Sequence, residues 1–230
     1  MSMPKVLIFT PIYDKKDYAL RKFVDNAKNL TYPNFRHIFI DNSKGLDYTR
    51  KLKRMGLDVL HVDRAKNTRE TLAKAQNLAR KIAITDGYDY LFSLESDIFP
   101  PLDIVERLMV HTKPVVTGFY LIGNETKVPC ITVPEWVEKL SCFGTRLLKP
   151  EEIKDYYRNG LQRVAAGGFG ACLIRKDIFT KVGFTYDLRF QGHSDIYFFN
   201  WCFNHQIPVY VDTHMYCAHD NSDWDKVEDR

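Results

Sequence analysis

Short apolar runs and amphipathic stretches take turns along the first hundred residues. Val6-Leu-Ile-Phe-Thr10 is apolar and β-branched and is stopped by Pro11, the pattern of a buried strand running into a loop. Leu20, Phe23, Val24 and Ala27 then recur at i, i+3, i+4 and i+7, which predicts an amphipathic helix ended by Tyr32-Pro33-Asn34. His37-Ile-Phe-Ile40 predicts a second strand leading into Asp41-Asn42-Ser43, and Val59-Leu-His-Val62 a third. Asn67 with Glu70 resembles a capping box, and Leu72, Ala75, Ala79 and Ile82 continue one helix face up to Asp86-Gly87. Tyr90-Leu-Phe-Ser-Leu94 follows as a strand. The order strand, helix, strand, strand, helix, strand predicts an α/β domain with a mostly parallel sheet covered on both faces.

The second half is less regular. Val115 to Tyr120 and Ala171 to Arg175 read as strands, separated by a polar, Pro-bearing stretch from Gly123 to Pro150 that is too long for an ordinary loop. That stretch is expected to be partly β, followed by a helix that Pro150 starts and Gly160 ends. Asp177 to Val182 and Ile196 to His205 predict two more helices, and Val209-Tyr-Val-Asp212 a late strand. The aromatics Phe198, Phe199, Trp201 and Phe203 read as core. The polar segment 220–230 is expected to be a flexible tail.

The chain has 230 residues and 45% apolar side chains, enough for one domain with a sizeable core, here expected over 1–219. Its 33 basic against 29 acidic side chains leave +4, which suits a small anionic substrate and is too weak to argue for nucleic acid. The five cysteines are an odd number without a CxxC pair, which points to a reduced compartment. Lys5 followed by Val6 to Phe9 is far short of a signal core or a spanning helix. A cytoplasmic protein without a transmembrane segment is therefore expected.

Glu95 and Asp97 stand two apart, so an extended backbone points both carboxylates the same way just as an apolar strand leaves the sheet. In open α/β sheets the ligand crevice lies beyond the carboxyl ends of the strands. Hard oxygen donors there suit Mg2+ or Mn2+ carrying a diphosphate, because these ions use one or two carboxylates and complete their shell from phosphate. A solvated acidic turn ahead of Pro100-Pro101 accounts for the same residues without a ligand.

Taken together, the pieces resemble the GT-A fold glycosyltransferases, in particular the family 2-like group. The resemblance is carried by Thr10-Pro-Ile-Tyr13, by Asp41-Asn-Ser43, by the helix bearing Arg69 and Asn77, and by Glu95-Ser96-Asp97 in the position of a metal-binding D-x-D element. It continues through Gly167-Gly168-Phe169-Gly170-Ala171 to Arg175, Phe179 to Phe184, and Gly192-His-Ser-Asp195-Ile-Tyr. It implies a single Rossmann-like domain, with a donor-binding half over about 1–100 and an acceptor-side half over about 101–219. The implied reaction is metal-dependent transfer of a sugar, with inversion, from a UDP- or GDP-sugar to a hydroxyl of a glycan, lipid-linked or protein acceptor.

Residue by residue, the resemblance puts the donor's base and ribose against Thr10, Tyr13, Asp41 and Arg69, with Glu95 and Ser96 beside them. A carboxylate after a strand can accept from a base imide or a ribose hydroxyl, and an Arg fork suits an anionic nucleotide. Turn chemistry explains Asp41 and Thr10 equally well, and an exposed Arg on a helix is commonplace. Glu95, Asp97 and His219 are implied as metal ligands, with the imidazole favouring Mn2+ over Mg2+; His214, close by in sequence, is not. Asp195 matches the general base of the family's acidic pair, although Ser194 stands where the first acid belongs. A carboxylate near the start of the apolar helix that follows is also favoured by the helix dipole, so a capping role stays open.

Two other classes fit part of the pattern. A sugar nucleotidyltransferase would carry a Gly-rich phosphate loop after the first strand, and Thr10-Pro-Ile-Tyr-Asp-Lys has no glycine. A non-catalytic nucleotide-sugar or glycan-binding protein derived from a transferase would explain Glu95 and Ser194 in place of Asp and an acid.

Overall fold

A computed structural model describes residues 3–123, 126–138, 142–186, 193–220 and 222. The chain opens with β1 (Val6–Ile12), α1 (Asp17–Lys28), β2 (Phe35–Asp41), α2 (Asp47–Arg54), β3 (Val59–His61), α3 (Thr68–Thr85), β4 (Tyr90–Leu94) and β5 (Ile98–Phe99). It continues through α4 (Ile104–Val110), β6 (Val115–Phe119), β7 (Leu121–Ile122), β8 (Val128–Pro129), β9 (Ile131–Val137), β10 (Cys142–Leu147) and α5 (Ile153–Asn159). It closes with β11 (Leu161–Val164), β12 (Ala166–Gly167), β13 (Ala171–Arg175), α6 (Lys176–Phe179), α7 (Ser194–Asn204), β14 (Val209–Tyr216) and β15 (Ala218–His219).

Eight strands form the central sheet in the order β11-β14-β6-β13-β4-β1-β2-β3. Neighbours from β4 to β3 are parallel, as are β14 and β6, while β13 runs antiparallel to both β4 and β6 and β11 antiparallel to β14. Alternate residues of each strand feed opposite faces. Val6 and Ile8 join a layer with Phe23 of α1, Leu52 of α2 and Ile104 of α4. Leu7 and Phe9 join Ala75 and Ala79 of α3, Phe179 of α6 and Phe198 of α7. Burial on both faces is why these strands read as continuous apolar runs.

The strands and α3 fall close to the ranges their patterns predict. Asn67 caps α3, its side chain accepting from the Glu70 N–H at 2.8 Å. The stretch between β6 and β13 is partly β, because β9 pairs with β10 and β12 to form a small second sheet. Four elements in particular differ from expectation. The strand at β1 runs through Pro11 to Ile12, and two helices, α2 and α4, have no counterpart in the predicted order. In α2 only Tyr48, Thr49 and Leu52 are buried among charged residues, so the apolar stripe is too sparse to read. The helix predicted to reach Val182 stops at Phe179. No described helix is long and apolar enough to cross a membrane. Of the expected tail, only Asp220 and Ser222 fall among the described residues, and Gly192 of the Gly-His-Ser-Asp segment lies outside them.

Candidate active site

Leaving the sheet, β1 turns at Tyr13 into a short 3-10 turn, Asp14–Lys16, which carries Lys16 back over the carboxyl end of β4. There Tyr13, Lys16, Arg64, Glu95, Ser96 and Asp97 line a cavity of about 180 Å3. The Arg64 guanidinium lies 5.3 Å from the centre of the Tyr13 ring, a cation–π contact in the cavity wall. Arg69 does not line this cavity and lies instead in an adjoining one of about 270 Å3 that it shares with Arg64, Lys66 and His193. Arg64 was not singled out by the sequence pattern. Its signal is positional, since it follows β3 at the sheet's carboxyl edge, where a crevice forms.

Asp97 is the most enclosed of these groups, at 1% exposure. Its Oδ2 accepts from the Lys16 ammonium, lies 3.5 Å from the Tyr18 hydroxyl, and faces His219 Nε2 at 3.5 Å. The histidine reaches it because β15 pairs with β5 in the register His219 to Ile98, and the Asp220 N–H donates to the Asp97 carbonyl at 2.9 Å. His219 Nδ1 donates to the Leu121 carbonyl at 2.8 Å, which fixes the ring and turns Nε2 toward the carboxylate. Burial disfavours both charges, yet the contacts with His219 and Lys16 hold the Asp97 carboxyl below the usual carboxylate range, and Asp97 holds the imidazole above its ordinary value. Glu95 is pushed the other way, up to about 7, by burial and then by the Asp97 charge, against the opposing pull of Lys16 and His219.

A carboxylate and an oriented imidazole are donors that a Mn2+-like ion accepts. Among the described residues, however, no three His, Cys, Asp or Glu side chains are grouped to hold a metal ion, and Lys16 supplies the positive charge at Asp97. Glu95 thus does not complete a three-ligand set with Asp97 and His219 as the side chains stand. His214 is turned away to α5, where Nε2 donates to the Tyr157 carbonyl at 2.7 Å.

Thr10 and Asp41 lie behind the cavity, both fully buried. Thr10 Oγ1 pairs with His37 Nε2 at 2.8 Å. Asp41 accepts from the Ser43 N–H at 2.8 Å and from Thr49 Oγ1 at 2.5 Å, the turn chemistry that its Asp-Asn-Ser setting allows. It is Pro11 and Asn42, each one residue along, that face the cavity.

Asp195 sits in the first turn of α7, half-buried, with Oδ1 accepting from the Ile196 N–H at 2.8 Å. Burial raises its carboxyl above the ordinary value, against the pull of that N–H and of His193, and its charge adds to the rise at Glu95. It opens on a second, larger cavity of about 820 Å3 between α7 and the β9–β10 hairpin. Ser194, at the position of the missing acid, is buried and donates to Gln76 Oε1 at 2.5 Å, fastening α7 to α3. Phe198 and Phe199 are core residues as expected. Phe203 is not, being 64% exposed on the cavity wall.

Behind the carboxylates, Tyr120 explains two glycines of Gly167-Gly168-Phe169-Gly170, those at 168 and 170, while Thr117 crowds Gly167. The Tyr120 hydroxyl accepts from the Gly170 N–H at 3.1 Å, and its ring meets His219 edge-on at 5.8 Å. A Cβ on Gly168 would lie 1.7 Å from that hydroxyl. Gly168→Ala is therefore expected to cost about 1–3 kcal/mol of stability as overpacking, read from the denaturant midpoint. Adding Tyr120→Phe, which removes the obstructing oxygen, should return part of the loss, and simple additivity of the two changes would contradict this packing.

Among solved structures, the chain is similar to the mannosyltransferase PcManGT from Pyrobaculum calidifontis in complex with GDP-Man and Mn2+. The likeness has 14% identity and a TM-score of 0.61, over 95% of this chain and 57% of that one. It is also similar to residues 1–349 of S. aureus TarS, at 14% identity and a TM-score of 0.56, over 96% of this chain and 62% of that one. The chain thus spans less than two thirds of either structure. No protein-family model matches the sequence, and no curated protein matches it. The likeness is one of fold, and the fold is that of GT-A-type glycosyltransferases.

Proposed function

We propose that this protein is a nucleotide-sugar-dependent glycosyltransferase acting with inversion, its donor bound at the carboxyl ends of β1 and β4 and its acceptor on the Asp195 side. The observation that carries this reading is the meeting, at one sheet edge, of a basic and aromatic cavity with the Glu95–Asp97 pair and a separate carboxylate, Asp195. Tyr13 offers a face to the base, Arg64 and Arg69 offer charge to phosphate, and Glu95 and Ser96 offer acceptors and donors to the ribose or the diphosphate. Asp97 and His219 would hold a divalent ion, Mn2+ rather than Mg2+, whose chemistry is to neutralise the leaving diphosphate. Lys16 would release Asp97 to it.

Asp195 takes the proton from the acceptor hydroxyl as that oxygen bonds to the sugar's anomeric carbon and the bond from that carbon to the diphosphate oxygen breaks. The electron pair leaves with the nucleotide. A carboxyl raised by burial is a better base than an exposed one, and Asp195 lines a different cavity from the one proposed for the donor.

The direct test is a thermal-shift panel of UDP- and GDP-sugars with and without Mn2+, followed by assay of nucleotide release. Ligands that bind the native state raise its apparent stability by mass action. Absence of binding by any member overturns the proposal, and binding without turnover returns the protein to the non-catalytic class. Within the same panel, His219→Ala should weaken Mn2+-dependent binding by about ten- to a hundredfold, the cost typical of disturbing a metal's ligand set, whereas His214→Ala should change it little. Equal effects would point to general damage at the carboxyl end of the sheet.

A further inference from the structure

The larger cavity is lined mostly by apolar side chains. Ile196, Phe199 and Phe203 project from a single face of α7, at i, i+3 and i+7, and Leu147 of β10 and Ala166 of β12 face them. Three of these side chains remain open to solvent, Ile196 at 49%, Phe203 at 64% and Leu147 at 46%. An apolar helix face of this spacing is normally sealed against a core, and an apolar ligand that covered it would gain by removing that surface from water. The 820 Å3 volume is of the size that small-molecule sites have.

The polar side chains are few: Asp195 and Asn200 on α7, and Thr132 and Thr145 on the hairpin. Among the described lining residues there is no Lys or Arg, and the one carboxylate is Asp195. An anionic acceptor would bring its charge against Asp195 in a partly desolvated place with no partner, which is costly. A free sugar would leave most of its hydroxyls against Ile, Leu, Ala and Phe.

We infer that the acceptor is a non-anionic amphiphile, a hydroxyl carried on an apolar chain or ring, with the apolar body between α7 and the β9–β10 hairpin and the hydroxyl toward Asp195. This rests on the reading of Asp195 as the acceptor-side base. That the ligand carries no negative charge follows from the lone Asp195 carboxylate, and its apolar body from the open face of α7.

Titration calorimetry on the full chain without nucleotide tests it, using octyl glucoside below its micelle concentration, 1-octanol, octyl phosphate and methyl glucoside. Octyl glucoside and 1-octanol should bind, octyl phosphate at least about tenfold more weakly, and methyl glucoside not measurably. Whichever of the first two binds more tightly tells a glycolipid from a simple alcohol. Phe203→Ser and Leu147→Ser, both at exposed positions where folding is not at stake, should each weaken octyl glucoside by about tenfold, the equivalent of removing one apolar contact. Equal binding of methyl and octyl glucoside, tighter binding of octyl phosphate, or indifference to both substitutions overturns the inference. Failure of nucleotide sugars to bind would overturn the transferase reading alone, because the calorimetry is read without them.

Discussion

Asp195→Asn should lower kcat by about a hundred- to ten-thousandfold while leaving the donor's Kd nearly unchanged. The substitution is chosen because it separates two roles that share one atom. Asp195 Oδ1 accepts from the Ile196 N–H, and an asparagine oxygen can keep that bond and the side chain's volume. What it cannot keep is a site for a proton. If the residue only fastens the first turn of α7, turnover will be close to normal. Steady-state kinetics, a donor titration and the anomeric configuration of the wild-type product decide the matter together. Retention of configuration would remove the need for a base here.

The second large effect is expected at Asp97. Asp97→Asn should abolish the Mn2+-dependent part of nucleotide affinity and reduce turnover to background, and the wild-type protein should lose the same activity in EDTA. The change also breaks a charge cluster, because Lys16 and His219 both face the carboxylate that is removed. Breaking a buried pair can cost about 3–5 kcal/mol, but Lys16 is 18% exposed and can turn to water, so the fold is expected to survive. A melting curve beside the nucleotide titration keeps loss of binding distinct from loss of structure. Full activity in EDTA would show that the ammonium at Asp97, rather than an ion, carries the charge.

The sheet was readable because each strand is buried on both faces, so that Val6–Phe9, Ile38–Ile40 and Leu91–Phe92 could not be anything but apolar. The Glu95–Asp97 pair was readable for a related reason, since period-two spacing at a strand's end fixes direction without knowledge of the tertiary fold. What could not be read depends on partners distant in the chain. Nothing local says that Asp41 is spoken for by Thr49, that Lys16 reaches Asp97, or that Tyr120 needs the glycines at 168 and 170. Phe203 misled for the opposite reason: its helical spacing is that of a core residue, and only the position of the β9–β10 hairpin leaves it open.

The antiparallel β13 bears on how the chain can be built during synthesis. All of β1 to β4 lies within the first 94 residues, and β6 is complete by residue 119, yet β4 and β6 do not touch until β13, at 171–175, enters between them. A chain emerging amino end first therefore carries the β4 edge and both edges of β6 unpaired for some fifty residues of elongation, roughly three to ten seconds at ribosomal rates. The half that holds Tyr13, Arg64 and Asp97 can close early, but His219 joins it only when nearly the whole described chain has been made. Nascent chains halted before β13 should accordingly be the ones that aggregate.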